Sequence, residues 1–172
     1  VIMSRLPPGA LVTTAGFEDV LEIGRHERRD IYANRAESRT LLVPRDRRFG
    51  VAERTRANGD IEIALADAEI DRLASKLQAA AVDCVAVCLL HAYANPAHER
   101  QLEAGLARRL PGLAISVSHQ VSPEIREFER CSTTVLNALL APVVQHYLAN
   151  LRDRMAQAGI DCPVLLVQSN GG

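Results

Sequence analysis

The sequence predicts an α/β fold with a mostly parallel sheet, one β-hairpin excursion and a long kinked helix. Apolar strand-like runs and amphipathic helical segments alternate from residue 67 to 121, which is typical of right-handed parallel units. Asn58-Gly59 separates two alternating segments and is a strong hairpin signal within residues 47–66. Aliphatic residues recurring every four positions predict the long helix at about residues 132–158.

Composition indicates an ordinary globular chain of 172 residues, 48% hydrophobic and 24% charged. The net charge is -1, and the arginines between residues 24 and 59 are interleaved with acids and almost no aromatics. This pattern favours a solvated face or an inter-domain contact over an anion site, and we expect no nucleic-acid partner. No apolar run approaches the roughly 20 residues of a membrane span, so we expect no membrane partner.

The cysteines and the amino terminus predict a cytoplasmic protein. Four cysteines are more typical of reduced thiols than of a disulfide framework. The first residues lack a charged segment followed by an apolar stretch, so we expect no secretory signal.

The first two elements flank a loop of small residues. "GALVTTAGF" predicts a strand leading into a loop at Thr13 to Gly16, and "FEDVLEIGR" predicts a short helix ending near Gly24. Residues 25–40 are rich in arginine and weakly periodic, which indicates a surface segment.

Two strand-and-helix units follow the hairpin. The spacing predicts a helix from Asp67 to Ala81 with Asp67 as its cap, and then a buried strand in "VDCVAVCLLHAY". Asn95 is expected to cap the next helix, with Pro96 in its first turn, and "LAISVSHQV" predicts a second buried strand.

The segment from residue 122 onward predicts two helical stretches. Ser122 is expected to cap the first, and Ser132 or Thr133 to cap the second. The apolar stripe that begins at Val135 is expected to be core, with a kink at Pro142. "CPVLLVQ" then predicts a further buried strand, and "SNGG" a turn at its end.

A zinc site built from Cys84, Cys88, His91 and His98 is geometrically poor. On one strand the two cysteines lie about 13 Å apart at ~3.3 Å per residue, too far for one tetrahedral ion. We therefore expect core cysteines and no structural metal, with His91 more plausible as a satisfied histidine than as a ligand.

The candidate binding residues lie at predicted strand tips and at the start of the long helix. In open α/β sheets, ligands gather beyond the carboxyl ends of the strands. Arg126 and Arg130 would repel across one helical turn, and Glu127 can offset that repulsion, so a self-neutralising charged face is the alternative to a site. The candidates are Thr13, Thr14, Glu127, Arg130, Ser132, Thr133, Thr134, Asn137, Ser169, Asn170, Gly171 and Gly172. The catalytic residues are not assigned by this pattern.

Four segments in this order resemble the hydantoinase A and 5-oxoprolinase family, which includes N-methylhydantoinase subunits and the acetone carboxylase β subunit. They are "LVTTAGFEDVLEIGR", "VAVCLLHAYANPAHE", "SVSHQVSPEIREFERCSTTVLNALLAP" and "QSNGG", and "EIREFERCSTTVLNA" is the most specific part. The resemblance implies a lobe similar to those of actin-like (ribonuclease H-like) ATPases. It also implies ATP-dependent activation of a cyclic amide or ketone oxygen for ring opening or carboxylation.

The resemblance also implies what this chain lacks. Family members carry phosphate loops before the "LVTT" strand and after "SNGG", and neither loop is present here. We therefore expect a partial N-terminal lobe at 1–121, connecting helices and a first strand of the next domain at 122–172, and no activity in this piece alone. ATP and Mg²⁺ are implied for the full-length enzyme, with a cyclic amide as substrate.

The expected partners are the rest of the same polypeptide and a second, B-type subunit. The alternative to an enzyme is a non-catalytic interaction module that docks through the apolar stripe of the long helix.

Overall fold

The computed structural model describes residues 6–25, 41–165 and 167. Within these ranges the strands are β1 (Gly9–Thr14), β2 (Arg48–Val51), β3 (Arg54–Thr55), β4 (Ile61–Ile63), β5 (Cys84–Cys88) and β6 (Ala114–Val117). The helices are α1 (Val20–Ile23), α2 (Asp67–Ala79), α3 (Ala97–Arg109), α4 (Ser118–Val121) and α5 (Glu127–Gln157), with a 3₁₀ turn at Arg45–Arg47.

The main sheet has the strand order β2-β1-β5-β6, and all of its described pairs are parallel. Leu11 in the central strand β1 lies opposite Arg48 on one side and Ala86 on the other. Every residue of β1 and of β5 is buried. Continuous apolar strands of this kind form where helices cover both faces of a sheet, so the prediction of a mostly parallel α/β fold is confirmed.

Alternate strand residues point into two separate cores. Val12, Val85 and Val87 face the core that α2 and α3 cover, and Leu11, Ala86 and Cys88 face the core that α5 covers. Because side chains alternate along a strand, β1 and β5 each contribute to both cores. The helical contributions to the first core are Ile70, Leu73, Leu77, Leu102 and Leu106, and those to the second are Cys131, Val135, Ala138 and Leu139.

The hairpin is shorter than the sequence predicts. β3 and β4 pair antiparallel around a turn in which Gly59 has φ +90°, as the Asn58-Gly59 signal indicates. However, residues 48–51 do not belong to this excursion, because β2 pairs in parallel with β1 along four residues. An alternating pattern identifies a strand but not its partner, which accounts for the error.

Helix starts differ from the predictions in position. α2 begins after Ala66, so Asp67 is its first residue and not its cap. α3 begins after Pro96, although the Asn95 side-chain carbonyl still accepts a hydrogen bond from the Ala97 N–H at 3.1 Å. Both starts lie within the one or two residues by which helix boundaries vary.

The polar segment before α5 does not form the helix predicted to begin at Ser122. The strand β6 ends at Val117, and the Ser122 N–H bonds to the Ser118 carbonyl at 2.9 Å, so Ser122 closes α4. α5 then runs without interruption from Glu127 to Gln157, so Ser132 and Thr133 are interior positions and not caps. Pro142 lies within this helix, where its ring removes the bond to the Ala138 carbonyl.

The apolar stripe of α5 is core only along its first part. Ala138 and Leu139 are buried, whereas Leu140, Val143 and Tyr147 are 41%, 45% and 64% exposed. The prediction that the whole stripe is core is therefore wrong for the described part of the chain, because α5 extends past the sheet that it covers.

The described residues of the predicted final strand, 162–165 and 167, form no strand and are exposed. A strand needs a neighbour for its backbone hydrogen bonds, and none of the described strands lies beside this segment. The predicted surface segment 25–40 lies outside the described residues except for Arg25. No helix within the described ranges is long and apolar enough to cross a membrane.

Candidate functional site

The carboxyl edge of the sheet brings together the ends of β1, β5 and β6. Thr13 and Thr14 end β1, Cys88 ends β5, and Ser118 follows β6. Because the strands are parallel, these ends lie along one edge, which is where open α/β sheets bind ligands. The first strand tip in the sequence prediction is therefore located where the prediction placed it.

Three buried side chains hold the backbone that follows β5. The Thr14 hydroxyl accepts a hydrogen bond from the Leu90 N–H at 3.0 Å. The Glu99 carboxylate accepts one from the Leu89 N–H at 2.9 Å, and Arg130 Nη2 donates to the Leu89 carbonyl at 2.9 Å. Residues 89–90 are thus fixed from β1, α3 and α5 at the same time, which makes this edge rigid.

Glu99 is a fully buried carboxylate, and four hydrogen bonds surround it. Its Oε1 accepts from the Leu89 N–H and from the Ser118 hydroxyl at 2.7 Å. Its Oε2 accepts from the His119 N–H at 2.9 Å and lies 2.8 Å from His119 Nδ1. Glu99 lies in the first turn of α3, where the helix dipole also favours a negative charge. These donors replace the water that the charge loses on burial.

A second buried network joins Glu53, His98 and Thr14. His98 Nε2 accepts a hydrogen bond from the Leu65 N–H at 3.3 Å, so it carries no proton. Nδ1 therefore carries the proton of the neutral ring, and it lies 2.7 Å from Glu53 Oε2. The Thr14 hydroxyl donates to the other carboxylate oxygen of Glu53. His98 is thus a satisfied core histidine that connects the hairpin to α3.

Arg130 is a buried arginine, 1% exposed, whose hydrogen bonds go to backbone carbonyls. Nη1 donates to the Glu124 carbonyl at 2.7 Å, Nη2 donates to Leu89, and the guanidinium carbon lies 5.5 Å from the centre of the Tyr93 ring. The ion pairs among the described residues include none between Arg130 and Glu127, so the predicted self-neutralising pair is not formed there. Arg130 Nε is a buried donor that finds no hydrogen-bond partner within the part of the chain that the structure describes, which is unusual in a folded protein.

A small pocket opens beside this arginine. It is lined by Thr13, Glu127 and Arg130, which are three of the predicted residues, together with Cys88 and Cys131. Phe17, Val20 and Leu90 provide its apolar wall. The pocket thus offers a guanidinium donor, a carboxylate acceptor and two thiols within a partly apolar surface.

The other predicted residues on α5 lie on different faces. Thr134 is buried and its hydroxyl donates to the Arg130 carbonyl at 2.6 Å, while Ser132 is half-buried and Thr133 is exposed. Asn137 Nδ2 donates to the Ser116 hydroxyl of β6 at 3.0 Å. The helical period of 3.6 residues separates these neighbours, so they do not form a single polar edge. Ser169, Asn170, Gly171 and Gly172 lie outside the described residues.

The sequence reasoning did not identify Glu53, Glu99 or the thiol pair. Glu53 in "VAERT" and Glu99 in "AHER" are each followed by an arginine and resemble surface acids. Their only available signal is position, since each lies close to the end of a predicted strand or at the start of a predicted helix. Burial of a charge depends on donors that come from distant segments, and a single sequence does not show these.

The described residues contain no cluster of three histidine, cysteine or acidic side chains that could hold a metal ion. Cys84 and Cys88 lie on the same strand and are both buried, as the strand assignment predicts. His91 adopts φ +54°, and its Nδ1 lies 3.3 Å from the Tyr93 hydroxyl.

Comparison with protein families gives two matches along the chain. Residues 2–110 match the model of the hydantoinase/oxoprolinase N-terminal region, and residues 130–172 match the hydantoinase/oxoprolinase model.

One curated relative and two solved structures are informative. The chain is 34% identical over 164 residues to the caprolactamase subunit alpha of Pseudomonas jessenii, covering 94% of this chain and 24% of that protein. It superposes on the crystal structure of the ATP-dependent caprolactamase of Pseudomonas jessenii with a TM-score of 0.90 and 32% identity, over 99% of this chain and 25% of that one. A nucleotide-free acetone carboxylase structure gives a TM-score of 0.79 and 25% identity, over 92% of this chain and 24% of that one. The chain therefore spans about a quarter of the length of these proteins.

Proposed function

Since the chain belongs to the hydantoinase/oxoprolinase family, we propose that it is part of an enzyme that uses ATP to open a cyclic amide by hydrolysis. The observation that carries this proposal is the likeness to the ATP-dependent caprolactamase, at a TM-score of 0.90 over 99% of the chain. A cyclic amide is a poor electrophile. ATP supplies a phosphoryl group to the amide oxygen, and this turns that oxygen into a good leaving group.

We propose that the site for ATP and Mg²⁺ is completed by residues other than those that the structure describes. The described residues contain no cluster of metal ligands, and the buried carboxylates Glu53 and Glu99 already accept hydrogen bonds from protein donors. We place the phosphate loops and the Mg²⁺ ligands in the remainder of a longer polypeptide, with an actin-like arrangement of two lobes.

The contribution of this chain is one wall of the binding cleft. Thr13, Glu127 and Arg130 line the pocket at the carboxyl edge, and the bonds of Thr14 and Glu99 keep that edge rigid. In this proposal, the pocket residues orient oxygen atoms of the substrate or nucleotide. Among the candidates on α5, the exposed Thr133 and the half-buried Ser132 are those that face the cleft in this proposal, because the Thr134 hydroxyl is buried against the Arg130 carbonyl and Asn137 bonds to Ser116. Ser169, Asn170, Gly171 and Gly172 stay candidates that lie outside the described residues.

The direct test is a substrate panel for the full-length enzyme. Caprolactam, 5-oxoproline and hydantoin are each incubated with ATP and Mg²⁺, and the ring-opened product and the released ADP are both quantified. We expect ring opening of at least one compound, coupled to ADP release and absent without ATP. Ring opening that proceeds equally well without ATP would contradict the proposal.

Carboxylation of a ketone is the second candidate. The acetone carboxylase structure favours it, although at lower identity and TM-score than the caprolactamase. The two reactions separate in one assay, because a carboxylase requires bicarbonate and incorporates its labelled carbon into the product. A lactam hydrolase shows no such incorporation.

The exposed apolar face of α5 is a candidate contact surface for a partner of this chain. Leu140, Val143, Val144 and Tyr147 form an apolar surface that a folded protein normally covers. We propose that the remainder of the same polypeptide covers it. The alternative is a non-catalytic module that uses this face only for docking.

Substitution on this face tests whether the remainder of the polypeptide covers it. If the remainder of the polypeptide covers the helix, Leu140→Gln lowers the melting temperature of the full-length protein, because a polar amide is then buried in an apolar contact. Arg152→Gln, a change to an exposed residue of the same helix, is the matched control. Equal melting temperatures for the two variants would show that the face is uncovered in the full-length protein.

Three further features follow from the family and stay proposals. We propose a division between a partial N-terminal lobe at 1–121 and the connecting segment 122–172. We also propose a second, B-type subunit, because the caprolactamase relative is itself named a subunit alpha. A cytoplasmic location fits the expectation of reduced cysteines.

A further inference from the structure

Two buried thiols lie side by side at the carboxyl edge of the sheet. Cys88 ends β5, and Cys131 lies in the second turn of α5, the helix that covers this face of the sheet. Their residues are 4% and 2% exposed, both belong to the same core, and both line the pocket beside Arg130. The activity proposed above uses neither thiol.

The two thiols differ in acidity because their surroundings differ. A hydrogen bond with Cys131 lowers the pKa of Cys88, and the positive charge of Arg130 adds to this effect although burial opposes it. The same hydrogen bond, together with burial, raises the pKa of Cys131 well above its usual range. Since the thiolate is the nucleophilic form, Cys88 is the more reactive member of the pair.

The pocket limits what can reach these thiols. It has room for about one water-sized molecule, so a reagent as small as hydrogen peroxide can place one of its oxygen atoms there, whereas larger reagents are excluded. The unpartnered Arg130 Nε–H belongs to the same group of side chains and is a donor that can bond a thiolate sulfur or a departing oxygen.

We propose that Cys88 and Cys131 form a modification site that a hydroperoxide oxidises to an intramolecular disulfide. The Cys88 thiolate attacks one peroxide oxygen, the O–O bond breaks, and the second oxygen leaves as water after it gains a proton. The Cys131 sulfur then attacks the sulfenic sulfur of Cys88 and expels its oxygen as a second water. Overall, two thiols and one hydrogen peroxide give one disulfide and two waters, and two electrons pass from sulfur to the peroxide.

The other two cysteines of the chain are natural controls. Cys84 lies on the same strand, but burial raises the pKa of its thiol to about 11, so it stays protonated. Cys162 is exposed and is not part of the pocket, so it reports general oxidation at the surface.

The experiment uses the full-length protein and hydrogen peroxide. Samples are treated with one equivalent of peroxide, the remaining thiols are alkylated first in the folded and then in the unfolded protein, and the peptides are mapped by mass spectrometry without reduction. We expect a cross-linked pair of peptides that contain Cys88 and Cys131, two hydrogen atoms lighter than the two free thiols, with Cys84 alkylated only after unfolding. Treatment with dithiothreitol removes the cross-link.

Variants assign the order of the steps. In Cys131→Ala the sulfenic acid on Cys88 persists and reacts with dimedone when the treated protein is unfolded in its presence, because dimedone is too large for the pocket. Cys88→Ala gives no dimedone adduct at Cys131 at the same dose. Cys84→Ala leaves the cross-link unchanged. Separate alkylation of Cys88 and Cys131 in the peroxide-treated wild-type protein, or a cross-link to Cys84 or Cys162 instead, would overturn the proposal. The wild-type map needs no substitution, so it decides the question even if a variant fails to fold.

Discussion

Replacement of Glu99 by glutamine is expected to loosen the carboxyl edge of the sheet while it preserves the size of the side chain. Each carboxylate oxygen of Glu99 accepts two hydrogen bonds. A glutamine offers one oxygen and one NH₂ group, so its NH₂ group faces either the Leu89 N–H or the His119 N–H. Either orientation leaves one buried backbone donor without an acceptor, and rotation of the Ser118 hydroxyl or a change of the His119 tautomer cannot correct it.

The magnitude follows from these contacts. A buried donor left unpaired costs about 1–3 kcal/mol. The remaining bonds also lose the contribution of the negative charge, which makes them roughly half as strong. The two effects together give a loss of about 3 kcal/mol for opening of this edge, which corresponds to roughly 100-fold faster exchange of the protected amides at 1.4 kcal/mol per tenfold.

Hydrogen–deuterium exchange of the full-length protein measures this directly, in peptides that span residues 84–94. The matched control is Glu103→Gln, one turn further along α3, where the carboxylate accepts a surface bond from Gln120 at 3.3 Å. We expect the control to change exchange by about twofold or less. If Glu99→Gln and Glu103→Gln give equal exchange in residues 84–94, the buried carboxylate does not hold the Leu89 backbone, and the reasoning fails.

Three further outcomes are expected. Gly9→Ala lowers the free energy of unfolding by about 1–3 kcal/mol, because the added Cβ would lie 2.6 Å from Leu139 Cδ2. A denaturant titration measures this change, and an unchanged midpoint of unfolding would contradict the close packing. Burial raises the pKa of Cys84 to about 11, so stability falls as the pH rises from about 8.5, where the unfolded thiol ionises, toward 11. This pH dependence weakens in Cys84→Ala, and an identical slope in that variant would refute it. Thr133→Val in the full-length enzyme lowers turnover by about tenfold or more if the exposed hydroxyl contacts substrate or nucleotide. A tenfold loss corresponds to roughly 1.4 kcal/mol of transition-state binding. Unchanged turnover would remove Thr133 from the site.

The strands and most helices could be predicted because their signals are local. β5 is a short continuous apolar run rich in valine, and this composition is typical of a strand covered on both faces. The helical spacing of apolar residues in α2 and α3 likewise predicts one buried side for each helix. The errors in helix boundaries lie where two local signals compete. Serine is a preferred residue at a helix start, but the backbone N–H of Ser122 closes the preceding helix.

The sequence predicted where the candidate site lies better than it predicted which charged groups the site contains. Thr13 and Thr14 lie at the carboxyl edge because the direction of a parallel strand follows from its connections. The charges in "EIREFER" were interpreted as one solvated or cleft-facing run, whereas the structure buries Arg130 and leaves Arg126 exposed. The pattern of charges along a helix does not reveal which of them meets carbonyl oxygens from another segment.

The sequence by itself determined the α/β class, the order of the main elements and the family. These depend on apolar periodicity, turn residues and ordered motifs, all of which can be read along the chain. Only the tertiary structure decided that residues 48–51 join the main sheet, that Glu53, Glu99 and Arg130 are buried, and that Cys88 meets Cys131. The reason is that a buried charge is tolerated only where donors or acceptors from distant segments surround it, and those segments come together only when the chain folds.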